Sequence, residues 1–138
     1  MSELFSAMGI SASGMKAQST RIRIIAENIA NADTAAPMPG EDPYTRQRVT
    51  FKNVMDREAG LRKVEVDKIS QDKQKPYPVK FMPDHPGADE NGYVKMPNVD
   101  TLIETVDMRE AHRSYEANLG MIEQSRSMVL QTIDILRR

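Results

Sequence analysis

Few residues in this chain could do acid–base or metal chemistry. Two histidines, His85 and His112, are present, with no H-x-x-x-H or H-E-x-x-H spacing around either, and there is no cysteine. Disulfides, thiolate catalysis and cysteine–zinc sites are thereby removed, and a histidine–zinc site is not expected. A plain surface or packing role is expected for each histidine. The stretch GADENGY places Asp89, Asn91 and Gly92 at the offsets of a calcium-binding loop. Gly87 stands where such a loop needs its first aspartate and Asn98 where it needs a bidentate glutamate, so the stretch reads as a turn. The carboxylate pairs Glu41–Asp42 and Asp89–Glu90 lie in turn-rich sequence, without an apolar pocket to drive their pKa values apart. Neither G-x-S-x-G nor a glycine-rich phosphate loop occurs. No catalytic residue, cofactor or metal ligand is expected.

The elements that would have to carry any site divide the chain into three parts: 1–33 and 99–138, forming one discontinuous helical domain, and a β-rich insert at 34–98. Residues 3 to 31 contain no proline. At about 100° per residue, Leu4, Met8, Met15, Ile22, Ile25, Ala26 and Ile29 fall in one arc, with 8, 15, 22 and 29 repeating every seven residues. A weaker line of Ile10, Ala17 and Ile24 lies nearly opposite. The helix would end in AENIANADT, where Asn28 and Asn31 read either as helix stops or as amides bonding a neighbouring element. Residues 34–98 hold all eight prolines, which excludes a long helix. Alternation in RQRVTF (Val49, Phe51) and RKVEVDKI (Val64, Val66) predicts short strands, with PDHPGADENGYV a turn-rich loop.

The helical pattern returns at about residue 99. Thr101 to Glu104 has the T-x-x-E form of a capping box, with Asn98 and Asp100 as competing caps. From Met108 the positions Ala111, Tyr115, Asn118, Ile122, Ser125, Val129, Thr132 and Leu136 step 3-4-3-4, the spacing of a coiled-coil seam. The last turns are apolar on more than one side. Leu119, Ile122, Val129, Leu130, Ile133 and Leu136 form one stripe; Met121, Met128 and Ile135 form another. Two helices pairing as a parallel or antiparallel hairpin would leave one stripe in water, unless it packs on the insert. At about 25 cal/mol per Å², that stripe is worth several kcal/mol of burial to a neighbouring subunit. The small Ala117 and Gly120 would allow close helix approach.

Charge adds little. The 19 Lys and Arg balance 20 Asp and Glu, evenly along the chain, so no basic footprint for nucleic acid appears. No apolar run approaches the roughly 18 residues of a membrane span, and no basic-then-apolar leader opens the chain. A soluble protein that does not insert in membranes is expected.

Taken together, AENIANADT, YTRQRVTF, PDHPGADENGYVKMPNV and DMREAHRSYEANLGMIEQSRSMVLQTIDIL resemble, over nearly the whole chain, the flagellar basal-body rod proteins. NIANADT resembles an element common to rod and hook proteins. The HPGADENGYVKMPNV block, the short length and the single insert resemble more narrowly a proximal-rod member. Residues 34–42 and 53–75 resemble nothing specific. The resemblance implies a mainly α protein whose terminal helices pair as a coiled coil inside a hollow helical tube, with the middle segment outside. It implies a non-enzymatic subunit that transmits torque, leaves a channel for exported subunits, and sits in the periplasm after type III export without a cleaved signal. Implied partners are copies of itself, other rod proteins, the export-gate or ring adaptor protein at the rod base, and the export apparatus. Candidate interface residues are Met8, Met15, Ile22, Asn28, Ile29, Asn31, Tyr115, Asn118, Leu119, Met121, Ile122, Met128, Val129, Ile133 and Leu136. Another rod or hook-family axial protein is the nearest alternative, and a cytoplasmic helical adaptor or chaperone-like module is one of a different class.

Overall fold

A computed structural model describes residues 1–138. Its elements run α1 (Ser2–Ala30), β1 (Gln47–Asp56), β2 (Leu61–Gln71), β3 (Val79–Phe81), β4 (Tyr93–Lys95) and α2 (Thr101–Arg137). Both helices are where the seven-residue periodicity places them. The strands β1 and β2 form one two-stranded sheet and β3 and β4 another. The chain divides into two compact units. One contains Met1–Ile22, Thr50–Lys68 and Arg109–Arg138; the other contains Arg23–Val49 and Ile69–Met108. Each therefore holds part of both helices and part of the middle segment.

The helix ends follow from local hydrogen bonding. Asn31 donates its side-chain amide to the Glu27 carbonyl at 2.8 Å and accepts from the Thr34 hydroxyl at 3.3 Å, while Ala32 N and Thr34 N donate to the Ile29 and Asn31 carbonyls at 3.2 and 3.1 Å, so the end of α1 is closed by local bonds. At the start of α2, Asp100 is the cap: its Oδ1 accepts from Leu102 N at 3.0 Å and Ile103 N at 3.3 Å. The T-x-x-E reading is thereby corrected in favour of its competitor. Glu104 points into the protein instead of back along the helix, and Asn98 is buried in the unit it belongs to.

In the first unit, Gly14 lies against Asn118, and Arg21 Nη2 reaches Glu110 Oε2 at 3.6 Å. An advance of seven residues on α1 matches a retreat of eight on α2, so the helices run antiparallel there. A Cβ at Gly14 would stand 2.9 Å from Asn118 Nδ2, while Gly120 has open space around its Cα. The close approach thus belongs to Gly14. Ala117 and Gly120, expected to provide it, lie exposed.

Beside the α2-facing side of α1, Ser13 Oγ accepts the Val64 backbone N–H at 3.4 Å, and Ala17, only 2% exposed, borders a groove shared with Val64 and Val66. The Ile10–Ala17–Ile24 line, read as the weaker one, contains two of the most buried residues of α1, Ala17 and Ile24. A strand covering a small side chain hides it more fully than a single helix hides a methionine. The turn of the β1–β2 ribbon is held by Asp56, whose Oδ1 accepts from Glu58 N and Ala59 N, and by Gly60 with φ of 66°. Lys63 donates to Asp56 at 2.5 Å, and this bond holds the Asp56 carboxyl below the usual aspartate range.

Candidate assembly interface and the buried polar cluster

The second unit is built around polar groups that the sequence does not advertise. Asn28 is fully buried. Its Nδ2 donates to the Gln47 carbonyl at 2.9 Å, and its Oδ1 accepts the Gln47 N–H at 2.9 Å. The amide thereby takes the place of a neighbouring strand's peptide and closes the edge of β1 onto α1. The same Oδ1 accepts the Tyr44 hydroxyl at 2.8 Å, and the same Nδ2 donates to Glu104 Oε2 at 3.1 Å.

Glu104, also without exposure, accepts from Arg46 Nε through its other oxygen. Arg46 further approaches Asp72 at 3.6 Å and Asp107 at 3.8 Å. A carboxylate is tolerated there because it is both paired and hydrogen-bonded. Burial, then the negative charges of Glu27 and Glu104, raise the Tyr44 pKa. Asn98 plays the second bridging role: its Oδ1 accepts Arg46 N at 2.8 Å and its Nδ2 donates to the Asp72 carbonyl at 2.7 Å and the Lys75 carbonyl at 3.0 Å.

The loop residues of interest serve the same unit. Asp89 Oδ1 accepts from Asn91 N and Tyr93 N, both at 2.9 Å, and Gly92 adopts a φ of 83°, so the GADENGY stretch turns the chain into β4. His85 Nδ1 accepts from Gly87 N at 2.9 Å. Gly87 is packed so closely on the Ala36 carbonyl that a Cβ would overlap it. Asp89 and His85 thus fix turns, and the cluster around Glu104 forms a structural clasp in which both amide side chains, Asn28 and Asn98, are hydrogen-bonded through oxygen and nitrogen.

The candidate interface residues fall into three groups. Asn28 and Asn31 spend their amides inside the subunit. Met8, Met15, Ile22, Ile29, Tyr115, Asn118, Ile122 and Val129 are half-buried. On α2 these half-buried positions share a side with the buried Ala111 and Ser125, so the 3-4 stepping describes the covered side of the helix as far as Thr132 and fails at the exposed Leu136. Leu119, Met121, Met128, Ile133 and Leu136 are exposed, together with Leu130 and Ile135. Ile135 and Leu136 keep 74% and 79% of their surface in water. Met121 and Met128 stand four residues before and three after Ser125, about 40–60° around the helix from it, so Met121, Met128 and Ile135 flank the covered side.

Sequence reasoning missed Arg46, Tyr44, Gln47, Asn98 and the inward role of Glu104. One signal was available: Glu104 is seven residues before Ala111, so the seam carried back one heptad lands on a carboxylate that must find a partner.

The arrangement can bury apolar surface against other chains, and comparison with known proteins agrees with that use. Residues 8–36 match the family model described as flagella basal body rod protein, and residues 90–135 match the flagellar basal body rod FlgEFG protein C-terminal model. The flagellar basal-body rod protein FlgC of Agrobacterium fabrum is 49% identical over 137 residues, covering 99% of this chain and 98% of that one. Those of Salmonella typhimurium and Borreliella burgdorferi are 38% and 37% identical, covering 96% and 97% of this chain and 97% and 98% of their own. The chain belongs to the FlgC family of flagellar basal-body rod proteins.

Proposed function

We propose that this chain is a structural subunit of the proximal part of the flagellar rod. Its paired terminal helices would form a coiled coil facing the inside of a hollow helical tube, and its middle segment would lie outside. The observation that carries this reading is the apolar surface left uncovered on α2, where Met121, Met128 and Ile135 of one stripe and Leu130, Ile133 and Leu136 of the other remain exposed within the subunit. A face of that size is a liability in a lone chain and an asset in an array, where neighbouring helices remove it from water.

The work in this reading is mechanical. The tube transmits torque and leaves a passage for exported subunits, without catalysis. The partners are copies of the chain, other rod proteins, and the export-gate or ring adaptor protein at the rod base. The chain would reach the periplasm through the flagellar type III apparatus without a cleaved signal. No helix is long and apolar enough to cross a membrane, which fits a subunit held by protein contacts. The test is Met121→Asp combined with Met128→Asp. Both side chains are exposed, so the expected result is an unchanged thermal melt of the purified chain together with loss of rod assembly and swimming. Wild-type swimming in that variant would refute the reading.

A further inference from the structure

The GADENGY stretch carries chemistry that its role as a turn leaves unused. Asn91 is followed by Gly92, and no other asparagine of the chain has glycine after it. The backbone nitrogen after an asparagine can attack the side-chain amide carbon, and glycine offers the least hindered nitrogen. The N–Cγ bond forms, the side-chain nitrogen leaves as ammonia with the backbone N–H proton, and water opens the resulting succinimide ring at either carbonyl. One opening leaves aspartate; the other leaves isoaspartate, whose backbone runs through Cβ. Glycine cannot be exchanged at position 92. It is buried with a φ of 83°, and a Cβ there would come within 2.9 Å of Phe81 Cε2 and 3.2 Å of Pro83 Cβ. Asn91 itself is exposed to water.

The fold nevertheless keeps the two reacting atoms apart. Gly92 N donates to the Asp89 carbonyl at 3.0 Å, closing a turn in which Asn91 is the third residue. Positive φ is confined to glycines, so Asn91 fits a type I turn, with its ψ at about 0°. From there ring closure needs roughly a third of a full rotation about the Asn91 Cα–C bond, which breaks the bond from Gly92 N to the Asp89 carbonyl. The Asp89 side chain opposes that rotation from both sides. Its Oδ1 accepts from Asn91 N and from Tyr93 N, both at 2.9 Å, and so pins the peptide groups before and after the reacting one. Asp89 N in turn donates to the Tyr93 carbonyl at 2.9 Å, and Met82 N to the Gly92 carbonyl at 2.9 Å.

We propose that Asn91–Gly92 is a deamidation site held closed by this turn, with Asp89 as its positioning residue and water as the only co-reactant. Ring closure proceeds from the opened turn alone, so the folded chain reacts at the unfolded rate scaled by the opened fraction. Each hydrogen bond given up is worth a factor of about two to ten, and the Gly92 N bond is lost together with those to Asp89 Oδ1, so protection exceeds about tenfold. The isoaspartyl product matters to the fold. It inserts a carbon between the Asp89 anchor and the Gly92 carbonyl, so the Asp89–Tyr93 and Met82–Gly92 bonds no longer fit together, and the β3–β4 pair around the fully buried Val94 loses its turn. The proposal goes beyond the rod-subunit reading and does not depend on it.

Trypsin, cutting after Lys80 and Lys95, releases residues 81–95 with Asn91 as their single asparagine. Mass spectrometry of that peptide reads the loss of the amide. The purified full chain is incubated at one mildly alkaline pH, folded in buffer and unfolded in guanidinium chloride, and sampled over days. The folded chain is expected to react at least about tenfold more slowly than the unfolded one, and a smaller ratio overturns the proposal. Asp89→Ala, with its helix band in circular dichroism compared with the parent's, is expected to react at least about threefold faster than the parent when folded and equally fast when unfolded. Asp89→Asn keeps an oxygen acceptor and is expected to stay within about twofold of the parent at residue 91, with fragment ions separating residues 89 and 91. An Asp89→Ala chain with an intact helix band and the parent's rate overturns the role of Asp89, as does Asp89→Asn reacting several-fold faster than the parent. If Asp89→Ala loses its helix band, the folded-to-unfolded ratio of the parent and the Asp89→Asn rate decide.

Discussion

Replacing Asn28 by alanine removes four hydrogen bonds at a site with no exposure: two to the Gln47 peptide at 2.9 Å, one from Tyr44 at 2.8 Å and one to Glu104 at 3.1 Å. A buried group left without its partner costs about 1–3 kcal/mol, more when it is charged. Gln47 loses a partner for both its N–H and its carbonyl, Tyr44 loses its acceptor, and Glu104 retains only Arg46. Water entering the space vacated by the amide would recover part of this, so the expected net loss is about 3–5 kcal/mol. That is a large share of the roughly 5–15 kcal/mol by which a domain is stable. Urea unfolding followed by circular dichroism at the helix band reads the change directly, with the slope checked for constancy. Asn28→Asp keeps the acceptor for Gln47 N–H and Tyr44 but sets a carboxylate oxygen against Glu104. It is expected to be at least as damaging at neutral pH. A loss below about 1 kcal/mol for Asn28→Ala would refute the reasoning, because it would mean that the amide is replaceable by solvent.

Three further outcomes follow from the same geometry. Tyr44 has a pKa raised by burial first and by Glu27 and Glu104 second, so its neutral form is favoured in the folded chain. Its contribution is fully present below pH 10, the ordinary tyrosine value, and is lost as pH rises through the raised folded pKa. An alkaline melting series should therefore fall less steeply for Tyr44→Phe than for the parent chain. Gly87→Ala drives a Cβ into the Ala36 backbone carbonyl and should cost about 1–3 kcal/mol in the same unfolding assay. Gly14→Ala meets only the end of the Asn118 side chain, which can swing away, and gains helix propensity; it should change stability by less than about 1 kcal/mol.

What could be read from the sequence was whatever repeats locally. The two helices, the half-buried side of α2 from Met108 onward and the wide apolar face near its end all follow from a 100° step. The alternation in RQRVTF and RKVEVDKI likewise located β1 and β2. Those strands run on to Asp56 and Gln71; in β1 the half-buried positions shift from Phe51 to Val54, which breaks the alternation that locates the strand. The clasp was not legible because its members are far apart in the chain. Asn28 and Glu104 are 76 residues apart, and Arg46 and Glu104 are 58. Asn28 could be read as a helix stop or as a bridging amide because an amide can both donate and accept, and its partners lie inside the subunit. Gly14 gave no sign of its role, since a lone glycine in a helix becomes informative only once Asn118 is known to lie across from it.

The central claim is that this chain builds the rod through contacts that a single subunit leaves open. Electron microscopy of isolated basal bodies from cells with and without the chain tests it most directly. The account expects rods in its presence and none, or only a stub, in its absence. Complete rods in cells lacking the chain would contradict it.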